Sequence, residues 1–292
     1  MVKIVLGLLI ILTVFFAVAF FKDYIKATKE GNIEKTNFFA LGTVGFITNF
    51  FDTLGIGSFA PTTALLKNFK LTQDRTLPGT LNVACTVPVA VEAILFINGI
   101  EVEPVTLFSL LIAATAGAVV GAGVVSKLDE KKVQFGMGVA LIIVALVMLA
   151  GQLKLMPAGG DAVGLHGVKL IVAIIGNFIL GALMTLGIGL YAPCMALVYA
   201  LGMSPKVAFP IMMGSCAFLM PAASLKFVKE GAYDRKASMA ITIFGLVGVF
   251  IAYYLVKSLP LDILKWLIIV VILYTAVMMF NSSSKAKKAV KA

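Results

Sequence analysis

The chain has 292 residues, of which 61% are hydrophobic and only 13% charged, with a mean hydropathy of +1.06. A soluble domain carries about 25% charge, so lipid must be the main solvent here. The net charge of +10 would raise nucleic acid as a partner in a soluble protein. Here the basic residues sit in short loops, where they set topology and meet anionic lipid headgroups, and nucleic acid is set aside.

The apolar runs are about 20 residues long, the length a helix needs to cross a hydrocarbon core of about 30 Å. The alternation of a β-barrel is missing. Composition and run length therefore predict an all-α polytopic membrane protein.

The first run, Lys3 to Phe21, is followed by Lys22, Lys26, Lys29 and Lys35. The positive flank lies after the run, so the amino terminus is expected outside. Ala17-Val18-Ala19 resembles a signal cleavage site, but the apolar core is long and Lys3 is the only leading charge. Residues 1–22 are read as a transmembrane helix and 23–37 as a basic cytoplasmic linker.

Next comes the apolar stretch Phe38 to Leu66, broken at Asp52-Thr53-Leu54-Gly55-Ile56-Gly57 and Pro61. Much of it returns 132 residues later. Thr53-Leu54-Gly55-Ile56-Gly57-Ser58-Phe59-Ala60-Pro61 aligns with Thr185-Leu186-Gly187-Ile188-Gly189-Leu190-Tyr191-Ala192-Pro193, and the same spacing pairs Phe46 with Phe178, Ile47 with Ile179 and Pro78 with Pro210. The chain is therefore read as an internal duplication preceded by one extra helix, with repeat 1 at 38–150 and repeat 2 at 167–281. An extracytoplasmic loop, 151–166, joins them, and 282–292 forms a basic cytoplasmic tail.

Three ordinary spans follow each broken stretch: Thr76 to Asn98, Pro104 to Ser126 and Lys132 to Ala150, then Pro205 to Phe227, Lys236 to Val256 and Leu261 to Phe280. If the broken stretches crossed fully, Lys127, Lys131 and Lys132 would lie outside, with Glu101 and Glu103 inside, against the positive-inside rule. Re-entrant hairpins place the basic clusters inside and make the repeats inverted. The expected architecture is two inverted-topology repeats, each a re-entrant broken hairpin plus three transmembrane helices, with the carboxyl terminus cytoplasmic.

A broken turn at membrane depth must be buried in protein or line a watery cavity, because lipid cannot pair its backbone groups. Gly55, Gly57, Gly187 and Gly189 permit the breaks, and Pro61 and Pro193 suit the first turns of the half-helices that follow. Two helix amino termini meeting near the midplane create positive potential without a buried cation, which suits a small anion. Thr53, Ser58, Thr185 and Tyr191 add hydroxyl donors.

Asp52 precedes the first turn while Met184 stands at its counterpart. A buried acid there points to proton coupling or gating, or more plainly to capping of the turn's amides. Glu92 lies nearer a span end and is expected to reach water. Asn82, in Gly79-Thr80-Leu81-Asn82, and Ser215, in Met213-Gly214-Ser215-Cys216, complete an anion shell or bond neighbouring helices. Arg75 and Lys206 stand at the mouths of the corresponding spans. His166 is expected in a solvated outer loop. Cys85, Cys194 and Cys216 form no CxxC pair, and no metal or cofactor is called for.

The doubled Gly-rich turn followed by Pro, with a small-polar element in the next span, resembles the TauE/SafE sulfite exporter family over Phe38 to Phe280. The family's halves look like Gly-x-Gly-Gly-Gly followed by Pro, then Gly-Thr-Ser. Here Gly55-Ile56-Gly57-Ser58 and Gly187-Ile188-Gly189-Leu190 lack the full glycine run, Asn82 replaces the first Ser, and Gly214-Ser215 keeps the second. The resemblance implies movement of sulfite, related sulfur oxyanions or organosulfonates across a bacterial cytoplasmic membrane.

A secondary anion transporter is thus the favoured reading. An ion channel or cation-coupled carrier using Asp52 as ion ligand is the rival. An intramembrane enzyme would need a nucleophile and base, paired acids or metal ligands, for which the core residues are a poor match.

Overall fold

The computed structural model describes residues 2–97, 101–155, 159–187, 189–255 and 262–289. The described residues form helices α1 (Val2–Lys29), α2 (Phe38–Thr53), α3 (Phe59–Asn68), α4 (Leu77–Ile97), α5 (Pro104–Val125), α6 (Glu130–Gln152), α7 (Gly167–Met184), α8 (Tyr191–Ala200), α9 (Pro205–Glu230), α10 (Arg235–Leu255) and α11 (Asp262–Ala289), with a short 3₁₀ turn at Asp74–Thr76 before α4. Among the described residues α1, α4, α5, α6, α7, α9 and α10 are long and apolar enough to cross a membrane. Asn98, Val256 and Leu261, the limits expected for three spans, lie outside the described residues.

Local chemistry sets the helix ends. Asn37 Oδ1 accepts the N–H groups of Phe39 (2.9 Å) and Ala40 (3.2 Å) at the start of α2, and Glu103 and Asp129 cap α5 and α6 in the same way. α1 continues past Lys22 and Lys26 to Lys29, so its last turns carry cations where the helix dipole favours them. It ends beside α10: Asp23 accepts from Tyr233 and, at 2.8 Å, from Arg235.

The broken stretches are both hairpins. After α2 and α3 the chain returns to its starting level, where Thr36 Oγ1 donates to the Leu71 carbonyl (3.2 Å) and Thr72 donates to Asp234. After α7 and α8 it does the same: Gly160 N–H donates to the Met203 carbonyl (3.0 Å), and Ser204 N–H to that of Ala162 (2.8 Å).

The closing contacts of the two stretches are separated along the length of α5. Beside the mouth of the second, Glu103 N–H donates to the Val163 carbonyl (2.9 Å) as α5 begins. α5 then travels about 33 Å at 1.5 Å per residue towards the end where Gln134 Nε2 reaches Asp74 (2.8 Å) and Ser283 reaches the Lys131 carbonyl (3.1 Å). That second end holds the mouth of the first hairpin and most of the basic clusters.

Element boundaries and packing repeat with the sequence. The bounds Phe59–Asn68 of α3, moved by 132, fall on those of α8. α2 packs along α10, and α7 packs along α5. A Cβ at Gly248 of α10 would stand 2.5 Å from the Phe46 carbonyl oxygen, and one at Gly117 of α5 1.9 Å from that of Phe178. Phe46 and Phe178 are the pair matched at the 132-residue spacing, so both hairpins are seated on a partner helix through a glycine too close to hold a side chain.

Candidate functional site

Each hairpin turns where a left-handed backbone ends the first helix. Gly55 and Gly57 take φ of +87° and +88°, and Gly187 takes +108°, values that cost an L-residue about 1–2 kcal/mol. Gly189 lies outside that region, so its use is space rather than conformation. Ile188 lies outside the described residues.

The next helices begin at the turns. The first N–H groups of a helix have no partner within it, and here Pro61 and Pro193 occupy the third helical positions. The first residues of α3 and α8, Phe59, Ala60, Tyr191 and Ala192, border one cavity of about 40 Å³, enough for roughly three water-sized occupants at about 10–15 Å³ each.

From the first hairpin the cavity is lined by Asp52, Gly57 and Ser58, and from the second by Gly189, Leu190 and Tyr191. Val89 of α4, Val144 and Met148 of α6, Met184 of α7 and Cys216 of α9 supply largely apolar walls. Among the described residues no Lys, Arg or His lines it. The four ion pairs found there, Lys26–Glu30, Lys67–Asp74, Lys132–Asp129 and Arg235–Asp23, involve neither Asp52 nor Glu92.

Asp52 is 2% exposed. Ser58 Oγ donates to its Oδ2 at 3.0 Å. The acid therefore stands beside the start of α3, at the place an incoming anion would otherwise take. At the counterpart turn Met184 supplies no acceptor, and the carboxyl that reaches the first residue of α8 comes instead from Glu92 of α4.

Glu92 departs from expectation. It is fully buried although it lies only five residues before the end of α4. Thr53 Oγ1 lies 2.8 Å from its Oε1, and Tyr191 Oη donates to its Oε2 at 3.1 Å. The carboxyl thus joins the tip of one hairpin to the first residue of α8. Being the only charged residue in α4 was the signal in the sequence.

Of the residues singled out from the sequence, Asp52, Gly57, Ser58, Gly189 and Tyr191 meet at the cavity, while Thr53 stands just behind it on Glu92. Gly55, Thr185, Gly187, Asn82 and Ser215 fall outside its lining. Thr185 Oγ1 donates back to the Ala182 carbonyl (2.7 Å) and Asn82 Nδ2 to that of Pro78 (2.8 Å). Ser215 Oγ accepts from Asn177 Nδ2 (2.9 Å), a link between α9 and α7. Arg75 is exposed in the 3₁₀ turn, the side chain of Lys206 lies outside the described residues, and His166 is exposed before α7.

At the first hairpin's mouth, burial pushes the Asp234 carboxyl above its ordinary range despite bonds from Thr72 and the Ala237 amide. At the other end, the Thr106 hydroxyl and N–H hold Glu103 below that range.

The family model described as sulfite exporter TauE/SafE matches residues 1–148 and 169–292. No curated protein and no solved structure matches the chain.

Proposed function

Because the chain belongs to the TauE/SafE sulfite exporter family, and so is a multi-pass membrane transport protein, we propose that it carries a small anion by alternating access around the cavity between the two broken helices. The observation that carries this reading is a cavity bordered by two half-helix amino termini and, among the described residues, by no Lys, Arg or His. Fixed amide dipoles attract an anion, yet hold it less tightly than a buried Lys or Arg would, so it can leave again.

The preferred cargo is sulfite or a related sulfur oxyanion or organosulfonate, as the family description implies. Export is the proposed direction. An interior-negative potential favours anion exit by about 2.3 kcal/mol per 100 mV for each net negative charge moved, any accompanying proton counted.

The proposed frame is an inverted repeat with re-entrant hairpins. The Thr36–Leu71 and Gly160–Met203 contacts, at opposite ends of the bundle, support it. The Lys-rich end is assigned to the cytoplasm by the positive-inside rule, with Arg75 and Lys206 drawing anions to the mouths. Asp52 serves as the gate, holding the amide end of α3 until the cargo arrives at α8.

Purified protein in liposomes tests the reading through efflux of sulfite, sulfate, ethanesulfonate and a carboxylate, against protein-free vesicles. Movement of a sulfur anion is expected, and a protein that moves none refutes the assignment. Glu101→Cys in a background without other cysteines should react with an impermeant thiol reagent from outside cells. Labelling only after the membrane is opened would overturn the orientation.

A further inference from the structure

We infer that Glu92 is a proton-binding site of this carrier: as a neutral acid it clasps the two hairpins across the cavity, and its proton is taken up together with the anion. The inference rests on the anion-carrier reading for its transport consequence and on hydrogen-bond accounting for the proton itself.

Thr53 Oγ1 lies 2.9 Å from the Asn49 carbonyl and 2.8 Å from Glu92 Oε1. A hydroxyl has one proton, and a carbonyl can only accept. If Glu92 were ionised, Thr53 would face two acceptors with one proton. If Glu92 is neutral, its O–H donates to Thr53, Thr53 donates to Asn49, and Tyr191 donates to Oε2, so every contact has a donor and an acceptor. The neutral acid also avoids a buried charge without a counter-ion, a cost of several kcal/mol in low dielectric.

The surroundings assign different tasks to the two acids. Asp52 accepts from the Ser58 hydroxyl at 3.0 Å, beside the start of α3. Glu92 lies within α4, five residues before its end, and meets a side chain of α8 but, among the described contacts, no backbone amide. Titratable groups facing it are Asp52 from α2, Tyr191 from α8, Cys216 from α9 and Cys85 from its own helix. Tyr253 of α10 lies beyond, donating to the Leu95 carbonyl at 3.3 Å. None of these brings a positive charge.

Coupling follows from the shared wall. Tyr191 lines the cavity and holds Glu92, so a carboxylate at position 92 repels the cargo whereas the neutral acid does not. Separating the hairpins to open the site takes Thr53 and Tyr191 apart, removes the partners of the neutral acid and admits water, which favours proton release to that side.

Ethanesulfonate is the probe, because its charge is fixed and any accompanying proton movement belongs to the protein; sulfite runs in parallel. Acid on the loading side should speed wild-type transport by up to about tenfold per pH unit, and an entrapped pH dye should report protons moving with the anion. Glu92→Gln should retain anion exchange and lose both effects. Retained acceleration and proton movement in that variant would overturn the coupling.

Infrared spectroscopy reads the proton without transport. A protonated-carboxyl band at neutral pH should vanish in Glu92→Gln and persist in the surface control Glu103→Gln. An unchanged band in Glu92→Gln overturns the proton site. A band that behaves as expected in a protein moving neither anion supports the proton site and refutes the anion-carrier reading instead.

Discussion

Gly189→Leu separates filling the cavity from straining the backbone. Gly189 lines the cavity, a Cβ added there meets nothing within 4 Å, and its φ lies outside the left-handed region. Helix packing should therefore tolerate the change, but four added carbons overfill a space of about 40 Å³. Forcing a ligand into such an overpacked site costs about 1–3 kcal/mol, or roughly 5- to 150-fold in apparent affinity. Initial transport rates against substrate concentration should show that loss, with a thermal unfolding midpoint close to wild type. Gly57→Leu should lose transport similarly and also lose about 1–2 kcal/mol of stability from its positive φ. Wild-type transport by folded Gly189→Leu protein would refute the cavity as the pathway.

The seat of the second hairpin can be tested with two alanines on α5: Gly117→Ala drives a Cβ to 1.9 Å from the Phe178 oxygen and should destabilise by about 1–3 kcal/mol. Gly123→Ala, with nothing within 4 Å, should stabilise by about 1 kcal/mol; unfolding midpoints shifting the same way would count against the close approach. Lys67→Met strands a buried Asp74 with Gln134 as its remaining partner and should cost about 3–5 kcal/mol in denaturant titrations. Asp74→Asn on top should recover part of that. Because Glu103 is held below the ordinary carboxylate range, its contribution is full above that range and is lost as pH falls through its folded value. Wild type should thus unfold at a higher temperature than Glu103→Gln at neutral pH and converge with it in acid.

The helices were legible because apolar runs near 20 residues leave few alternatives in lipid, and the 132-residue repeat located both breaks. Side-chain destinations were less legible. Asn82 and Thr185 look like ligands in a string of letters, yet in a helix each can donate to a carbonyl three or four residues back, and each does, while the Asn82 Oδ1 stays buried without a partner among the described residues. Glu92 failed the opposite way. Distance along α4 suggested water, whereas burial is decided by α8, whose Tyr191 comes from 99 residues further along the chain. The doubled Gly-x-Gly gave no hint that Gly189 would be ordinary in φ while Gly57 is not.

Duplication supplied two similar turns, but a carrier of anions gains from their divergence. At the 132-residue spacing Asp52 faces Met184, Ser58 faces Leu190 and Glu92 faces Ser224, so both acids belong to the first half. Ser224 now shares a hydrogen bond of 2.8 Å with Thr86 and links α9 to α4. Had the second turn carried acids as well, a cargo anion would meet carboxylates from both halves. As it is, the first half alone supplies both carboxyls, and the second contributes the amino-terminal end of α8. The second half replaces Phe59 by Tyr191, and that one hydroxyl lets the half without acids reach the acid of the other.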